Sequence, residues 1–111
     1  MVKNYVPEKG DIVWLDFTPQ LGHEQRGRRP AIVLSKKTYN QKIGLAIFCP
    51  ITSKEKGYPF EVKITGKKIN GCVLSDQVKS LDWTERNIEY IENTSDEIME
   101  EVVNKFLVLI Q

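Results

Sequence analysis

Apolar and polar positions alternate in short runs along most of the chain and change to a four-residue repeat at its end. Between Asp11 and Phe17, the residues Val13, Leu15 and Phe17 alternate with Ile12, Trp14 and Asp16, a period of two that predicts a strand. Arg29 to Ser35 predicts a second, with Ala31, Ile32, Val33 and Leu34 apolar on both faces, as a central strand is. Leu45 to Cys49 predicts a third, stopped by Pro50. In a fourth, Phe60, Val62 and Ile64 point inward and Glu61 and Lys63 outward. Cys72 to Leu74 and Gln77 to Val78 are shorter extended pieces, and Ile88 to Ile91 is a last strand. Lys36 to Lys42 predicts one polar helical turn. Thr18-Pro19 opens a long loop to Arg28, Ile51 to Pro59 forms a second polar loop, and Gly66 to Gly71 is a turn rich in Lys and Asn.

The end of the chain reads as a helix. Thr94 with Glu97 makes a capping-box pattern, and Ile98, Val102, Phe106 and Ile110 follow at spacing four beside Met99, Val103 and Leu107. That is one apolar stripe about four turns long. Asp96, Glu97, Glu100 and Glu101 crowd the end where the helix dipole favours them. Short strands about ten residues apart, then one packing helix, predict a mainly β protein with α: a small curled β-barrel with a C-terminal amphipathic helix packed on it, forming a single domain over 1–111.

Charge changes this picture. The net charge is +1, yet residues 1–80 carry 14 Lys and Arg against 7 Asp and Glu, while residues 81–111 carry 2 against 8. A basic body suits a polyanion surface. Cys49 and Cys72 have no CxxC spacing and no neighbouring histidine, so neither a disulfide framework nor a zinc site is indicated. The first nine residues hold no apolar signal core, and no apolar run approaches the roughly 18 residues of a membrane span. A cytoplasmic protein with reduced, buried thiols is expected.

Candidate chemistry concentrates in the first loop, where Gly22, His23, Glu24, Gln25, Arg26, Gly27, Arg28 and Arg29 run into the second strand. Without HExxH, a P-loop or GxGxxG after a strand, and with one histidine, the sequence points away from metal hydrolases, nucleotide cofactors and a two-histidine ribonuclease within one subunit. RNA cleavage needs neither metal nor cofactor, because the 2′-hydroxyl is a nucleophile already attached to the substrate. A protein has then to orient it, move protons and neutralise the phosphorane. Arginine can fork onto phosphate oxygens, Thr52 can hydrogen-bond one, and Glu24 or His23 can move protons. Each also has a plain structural reading: a surface histidine, a threonine satisfying loop backbone, a glutamate paired with Arg26 or Arg28. Trp14 fits the core or a dimer interface, whereas Tyr58 and Trp83 follow loop residues and can stack on unpaired bases.

Several blocks together resemble one family: Val6-Pro7, Gly10-Asp11, Trp14 to Phe17, Gly22 to Gln25, Arg29-Pro30-Ala31, Val33-Leu34-Ser35, Pro50 with Thr52, Lys56 to Val62, and Asp76 to Ser80. In this order they are similar to the MazF/PemK family of toxin endoribonucleases, most of all its MazF branch. The resemblance covers about the first 83 residues and continues in the helix by pattern only. It implies an SH3-like barrel, a homodimer, a cytoplasmic toxin, and sequence-selective cleavage of single-stranded RNA with no metal or other cofactor. It also implies that Arg29 and Thr52 are the catalytic pair, with Glu24 contributing, and that Gln25, Arg26, Arg28, Lys56, Gln77 and Lys79 bind substrate. The implied partners are RNA and an acidic antitoxin whose disordered segment blocks the RNA channel. Operator DNA would be met only through the antitoxin complex. Two departures stand out: Arg28 occupies a place where many relatives have histidine or another residue, and Leu74-Ser75 stands where the PemK-like branch has an arginine before Asp-Gln. A related toxin family uses the same barrel to bind DNA gyrase without catalysis, which is the alternative reading.

Overall fold

The computed structural model describes residues 4–17 and 27–111. Among these, the strands are β1 (Asp11–Phe17), β2 (Gly27–Val33), β3 (Leu45–Thr52), β4 (Glu61–Thr65), β5 (Asn70–Leu74), β6 (Lys79–Asp82) and β7 (Glu89–Asn93). The helices are α1 (Lys37–Ile43) and α2 (Asp96–Leu107), and Trp83–Glu85 forms a single 3-10 turn. The pairings are antiparallel, in the order β4-β5-β3-β2-β1-β7. β3 carries β2 on one edge; on the other, β6 pairs with Leu45–Phe48 and β5 then takes Ile51 and Thr52.

The apolar runs of β1, β2 and β3 are buried on both faces because each face has its own core. Ile12, Ile32, Cys49 and Ile51 point one way, onto Val62, Ile64, Val73, Ile91 and the α2 residues Met99 and Val102. Val13, Leu15, Phe17, Ala31, Val33, Ala46 and Phe48 point the other way with Ile88, covered by Tyr5, Leu81 and Trp83. Alternation along a strand assigns every residue to one face or the other, a constraint that decides where the polar side chains at the strand ends go. At the join of α1 and the N-terminal segment, buried Asn40 donates from Nδ2 to the carbonyls of Pro7 (2.8 Å) and Ser35 (3.0 Å) and accepts from Ser35 Oγ.

β4 and β7 end the sheet order, and no strand ladder joins them. A side chain bridges these ends instead. The Glu92 carboxylate of β7 accepts the backbone N–H groups of Lys67, Lys68 and Ile69 in the β4–β5 turn, at 3.1, 2.9 and 2.9 Å. A Cβ at Gly66 would lie 2.6 Å from Glu92 Oε2 and 2.9 Å from the Ile69 carbonyl oxygen, so glycine is needed there for the carboxylate to reach the turn.

Several boundaries differ from the sequence reading. β3 runs through Pro50 because the missing N–H falls where the β2 ladder ends, while the strand goes on pairing with β5 on its other edge. β2 begins at Gly27, where Phe17 pairs with it, and the strand expected at Gln77–Val78 lies at Lys79–Asp82. The N-cap is Ser95, not Thr94: Ser95 Oγ accepts the Ile98 N–H at 3.2 Å, and the Thr94 N–H is taken by the Gly10 carbonyl. The helix ends at Leu107, so Ile110 leaves the stripe and is 64% exposed. Trp14 is not a core residue but is 36% exposed. Trp83 is half-buried; its Nε1–H donates to the Asn40 carbonyl and its ring packs on the second core. Both cysteines are free and buried, as expected. Among the described residues no helix is long and apolar enough to cross a membrane.

The Glu92 bridge gives a pH test. The amide donors, that of Lys68 foremost, hold its carboxyl below the ordinary carboxylate value. The stability this adds is therefore present above the unfolded value of about 4.3 and is lost as pH falls through the lower folded value. Glu92→Ala should cost about 1–2 kcal/mol at pH 7 in denaturant melts, and Glu92→Gln should flatten the loss of stability below about pH 4. Wild-type acid sensitivity in Glu92→Gln would show that the bridge does not close the barrel.

Candidate functional site

Arg29 and Arg28 are adjacent in sequence and lie on opposite faces of β2. Arg29 pairs with Leu15 and continues the face of Ala31 and Val33; Arg28 pairs with Asp16 and continues the face of Pro30 and Ile32. On β3, Phe48, Pro50 and Thr52 share the face opposite that of Cys49 and Ile51. The β2–β3 ladder ends at Ala31 opposite Pro50. Beyond that last pair, alternation puts Arg29, two residues before Ala31, and Thr52, two residues after Pro50, on the face that Ala31 and Pro50 share, while Thr52 itself pairs with Cys72 of β5. The polar end of the second-core face is thus built from a half-buried guanidinium and a half-buried hydroxyl. Thr52 Oγ1 accepts the Lys54 N–H at 3.2 Å, a bond that leaves the hydroxyl proton to be donated elsewhere.

The segment 53–59 after Thr52 is held by side chains of Glu61 and Lys105. The Glu61 carboxylate accepts the N–H groups of Lys56 (3.2 Å) and Gly57 (3.0 Å), and Gly57 adopts φ +80°, which a side chain would resist. At the far end, Lys105 Nζ of α2 donates to the Pro59 carbonyl at 2.6 Å. Lys56, exposed on this loop, places Nζ 5.9 Å from the centroid of the Tyr58 ring, itself 56% exposed. Tyr58 thus keeps the exposure that base stacking needs.

Lys79 pairs with Phe48 and shares its face, so Lys79, Arg29 and Thr52 lie on one side of the sheet. Phe48 and Thr52 are four residues apart, about 13 Å along the strand, so Lys79 lies well along the sheet from Thr52. Gln77 is half-buried in the turn joining β5 and β6, with its N–H on the Leu74 carbonyl at 3.0 Å. Glu24, Gln25 and Arg26 lie outside the described residues.

Arg28 is not brought to this face. Its Nη1 donates to Asp16 Oδ1 at 2.9 Å and its Nη2 to Glu89 Oε1 at 2.5 Å. Asn87 Nδ2 reaches the other Asp16 oxygen at 2.7 Å, and the Asn87 and Arg28 bonds hold the Asp16 carboxyl below its ordinary value. Neither thiol is a nucleophile in waiting: burial pushes Cys49 up to about 12 and raises Cys72 as well. Among the described residues no group of three His, Cys, Asp or Glu is placed to hold a metal ion. Sequence reasoning missed Glu61, Asp16 and Glu89. The Asp16–Arg28 pair follows from alternation once the β1–β2 register is known, but no local pattern marks Glu61 as a loop anchor.

A family model for the PemK-like, MazF-like toxin of type II toxin–antitoxin systems matches residues 8–110. The chain is 44% identical over 110 residues to the endoribonuclease toxin MazF of Escherichia coli (strain K12), covering 99% of each chain. It is 34% identical over 117 residues to the endoribonuclease toxin ChpB of the same organism, covering 100% of each. The crystal structure of MazF from Deinococcus radiodurans superposes with a TM-score of 0.92 at 48% identity, over 96% of this chain and 98% of that one. A chain of the MazE–MazF complex from that organism superposes at 0.87 with 48% identity, over 96% and 97%. With its residues 8–110 matched and its barrel, helix and strand register in place, the chain belongs to the PemK-like, MazF-like toxins of type II toxin–antitoxin systems.

Proposed function

We propose that this chain is a toxin endoribonuclease that cuts single-stranded RNA, without a metal ion, by attack of the ribose 2′-hydroxyl on the adjacent phosphate. The observation that supports this most directly is that Arg29 and Thr52 lie on one face of the sheet, each two residues beyond the last β2–β3 pair. The 2′-oxygen forms a bond to phosphorus and the bond to the 5′-oxygen breaks. The 2′-proton leaves to a base, and the departing 5′-oxygen takes up a proton. The products are a 2′,3′-cyclic phosphate, or a 3′-phosphate after hydrolysis, and a 5′-hydroxyl. The Arg29 fork meets the two non-bridging oxygens, where charge grows in the phosphorane, and the Thr52 hydroxyl donates to one of them. Glu24 is the candidate proton carrier of the first loop. Gln25, Arg26, Lys56, Gln77 and Lys79 hold the nucleotides on either side, and the exposed Tyr58 ring offers a stacking face for an unpaired base.

The toxin works as a homodimer with two such channels. An acidic, disordered antitoxin segment folds into a channel and competes with RNA for Arg26, Arg29 and Lys79. The MazE–MazF complexes of Deinococcus radiodurans are the relatives that support an antitoxin partner.

Incubating the purified chain with a long RNA in chelator tests the reading: fragments ending in 5′-hydroxyl are expected, and intact RNA at high protein concentration would overturn it in favour of a non-enzymatic toxin acting on a protein such as DNA gyrase. Arg29→Ala should lower the cleavage rate by about 10²–10³, the size of a lost oxyanion donor, and Arg29→Lys should recover only part of it. Thr52→Val keeps the shape and removes the hydroxyl, so cleavage should fall while the melting temperature holds. A variant that melts early yet cuts normally while folded would make Thr52 structural. Titrating the toxin with the acidic protein encoded beside it should abolish cleavage and binding of an uncleavable RNA together. Inhibition with RNA binding intact would place the antitoxin elsewhere.

A further inference from the structure

We propose that Arg28 is a positioning residue: its guanidinium, forked across Asp16 of β1 and Glu89 of β7, fixes the start of β2 so that Arg29 is presented on the opposite face, and it takes no RNA phosphate itself. This deepens the reading above and rests on it. Three observations carry it. Alternation along β2 turns Arg28 away from Thr52 and Lys79. Both arms of its fork are engaged by carboxylates, at 2.9 and 2.5 Å, on the two strands that follow β2 in the sheet order. The anchor is itself held: Asp16 receives Asn87 Nδ2 at 2.7 Å on its second oxygen, its N–H goes to the Arg86 carbonyl at 3.0 Å, and Arg86 Nη1 donates to the Asp16 carbonyl at 3.2 Å.

Position gives the network its leverage. Asp16–Arg28 and Phe17–Gly27 are the last pairs of the β1–β2 ladder, and Arg29 is the next residue along. Gly27, at φ +78°, has no side chain to hold the backbone there. A lone surface ion pair contributes little, but a guanidinium bridging two strands restricts direction as well as energy. Displacing a catalytic group by about 1 Å can cost about 10² in rate.

The two roles of Arg28 predict opposite results when its partners are removed. If Arg28 bound a phosphate, Asp16 and Glu89 would compete with RNA for it, and neutralising them would tighten RNA binding. If it positions Arg29, neutralising them copies the loss of Arg28. The variants are Arg28→Ala, Arg28→Lys, Asp16→Asn and Glu89→Gln in the full chain. The readouts are kcat and KM on a cleaved RNA, and the salt dependence of affinity for a 2′-O-methyl copy of it. We expect Arg28→Ala, Arg28→Lys and Asp16→Asn each to lower kcat about tenfold or more, with Glu89→Gln in the same direction. KM and the salt slope should stay unchanged. Arg28→Lys decides between charge and fork, since it keeps the first and loses the second. A drop of about 0.7 in the salt slope for Arg28→Ala, restored by Arg28→Lys, would overturn the proposal, as would tighter RNA binding by Asp16→Asn or Glu89→Gln. So would wild-type kinetics in Arg28→Ala. If Asp16→Asn proves unfolded by circular dichroism, Glu89→Gln and Arg28→Lys carry the decision. Absence of cleavage by the wild-type chain would mark failure of the nuclease reading, whereas a cutting wild type with these other patterns marks failure of the positioning role alone.

Discussion

Alternation of side chains along β2 is the constraint on which the rest of this structure depends. Ala31 and Val33 must enter one core and Ile32 the other, and that choice leaves no freedom at the polar end of the strand: Arg29 goes with Ala31, Arg28 with Ile32. A one-residue slip would bury the wrong set and exchange the two arginines. The core thus sets which way each arginine faces. Burial of Val, Ile and Phe side chains, each worth about 1.5–3 kcal/mol, orients a guanidinium that contributes little to stability itself.

β3 answers β2 at the other wall. Pro50 lacks the N–H with which to prolong the β2 ladder, yet the strand continues because β5 pairs with Ile51 and Thr52 on the far edge. The β2–β3 ladder therefore stops short of Arg29 and Thr52. Elsewhere, carboxylates hold irregular backbone by accepting its amides: Glu61 fixes the loop after Thr52, and Glu92 joins the β4–β5 turn to β7. The first holds the loop after Thr52 and the second ties together the two ends of the sheet order.

These features were unequally legible in the sequence. Periodicity exposed β1, the doubly apolar centre of β2 and the amphipathic α2, because packing acts there through patterns a few residues long. It failed where two neighbours compete. Pro50 reads as a stop although β5 pairs with β3 on its other edge, and Thr94 reads as the cap although Gly10 claims its N–H and leaves the helix to begin from Ser95. The resemblance carried by Arg29-Pro30-Ala31 and Pro50 with Thr52 names two residues that alternation places on one face of the sheet. Composition cannot separate Arg28 from Arg29; strand register gives them different faces and gives Arg28 two carboxylates.

That Arg29 and Thr52 act as one unit on one phosphate is the central claim, and a double-mutant cycle tests it most directly. Single-turnover cleavage is measured for the wild type, for the Arg29→Ala and Thr52→Val single variants, and for the double variant. Groups serving the same transition state are strongly non-additive, so the double variant should be little slower than the slower single variant. Rate losses that multiply, as for independent sites, would contradict a shared site between β2 and β3.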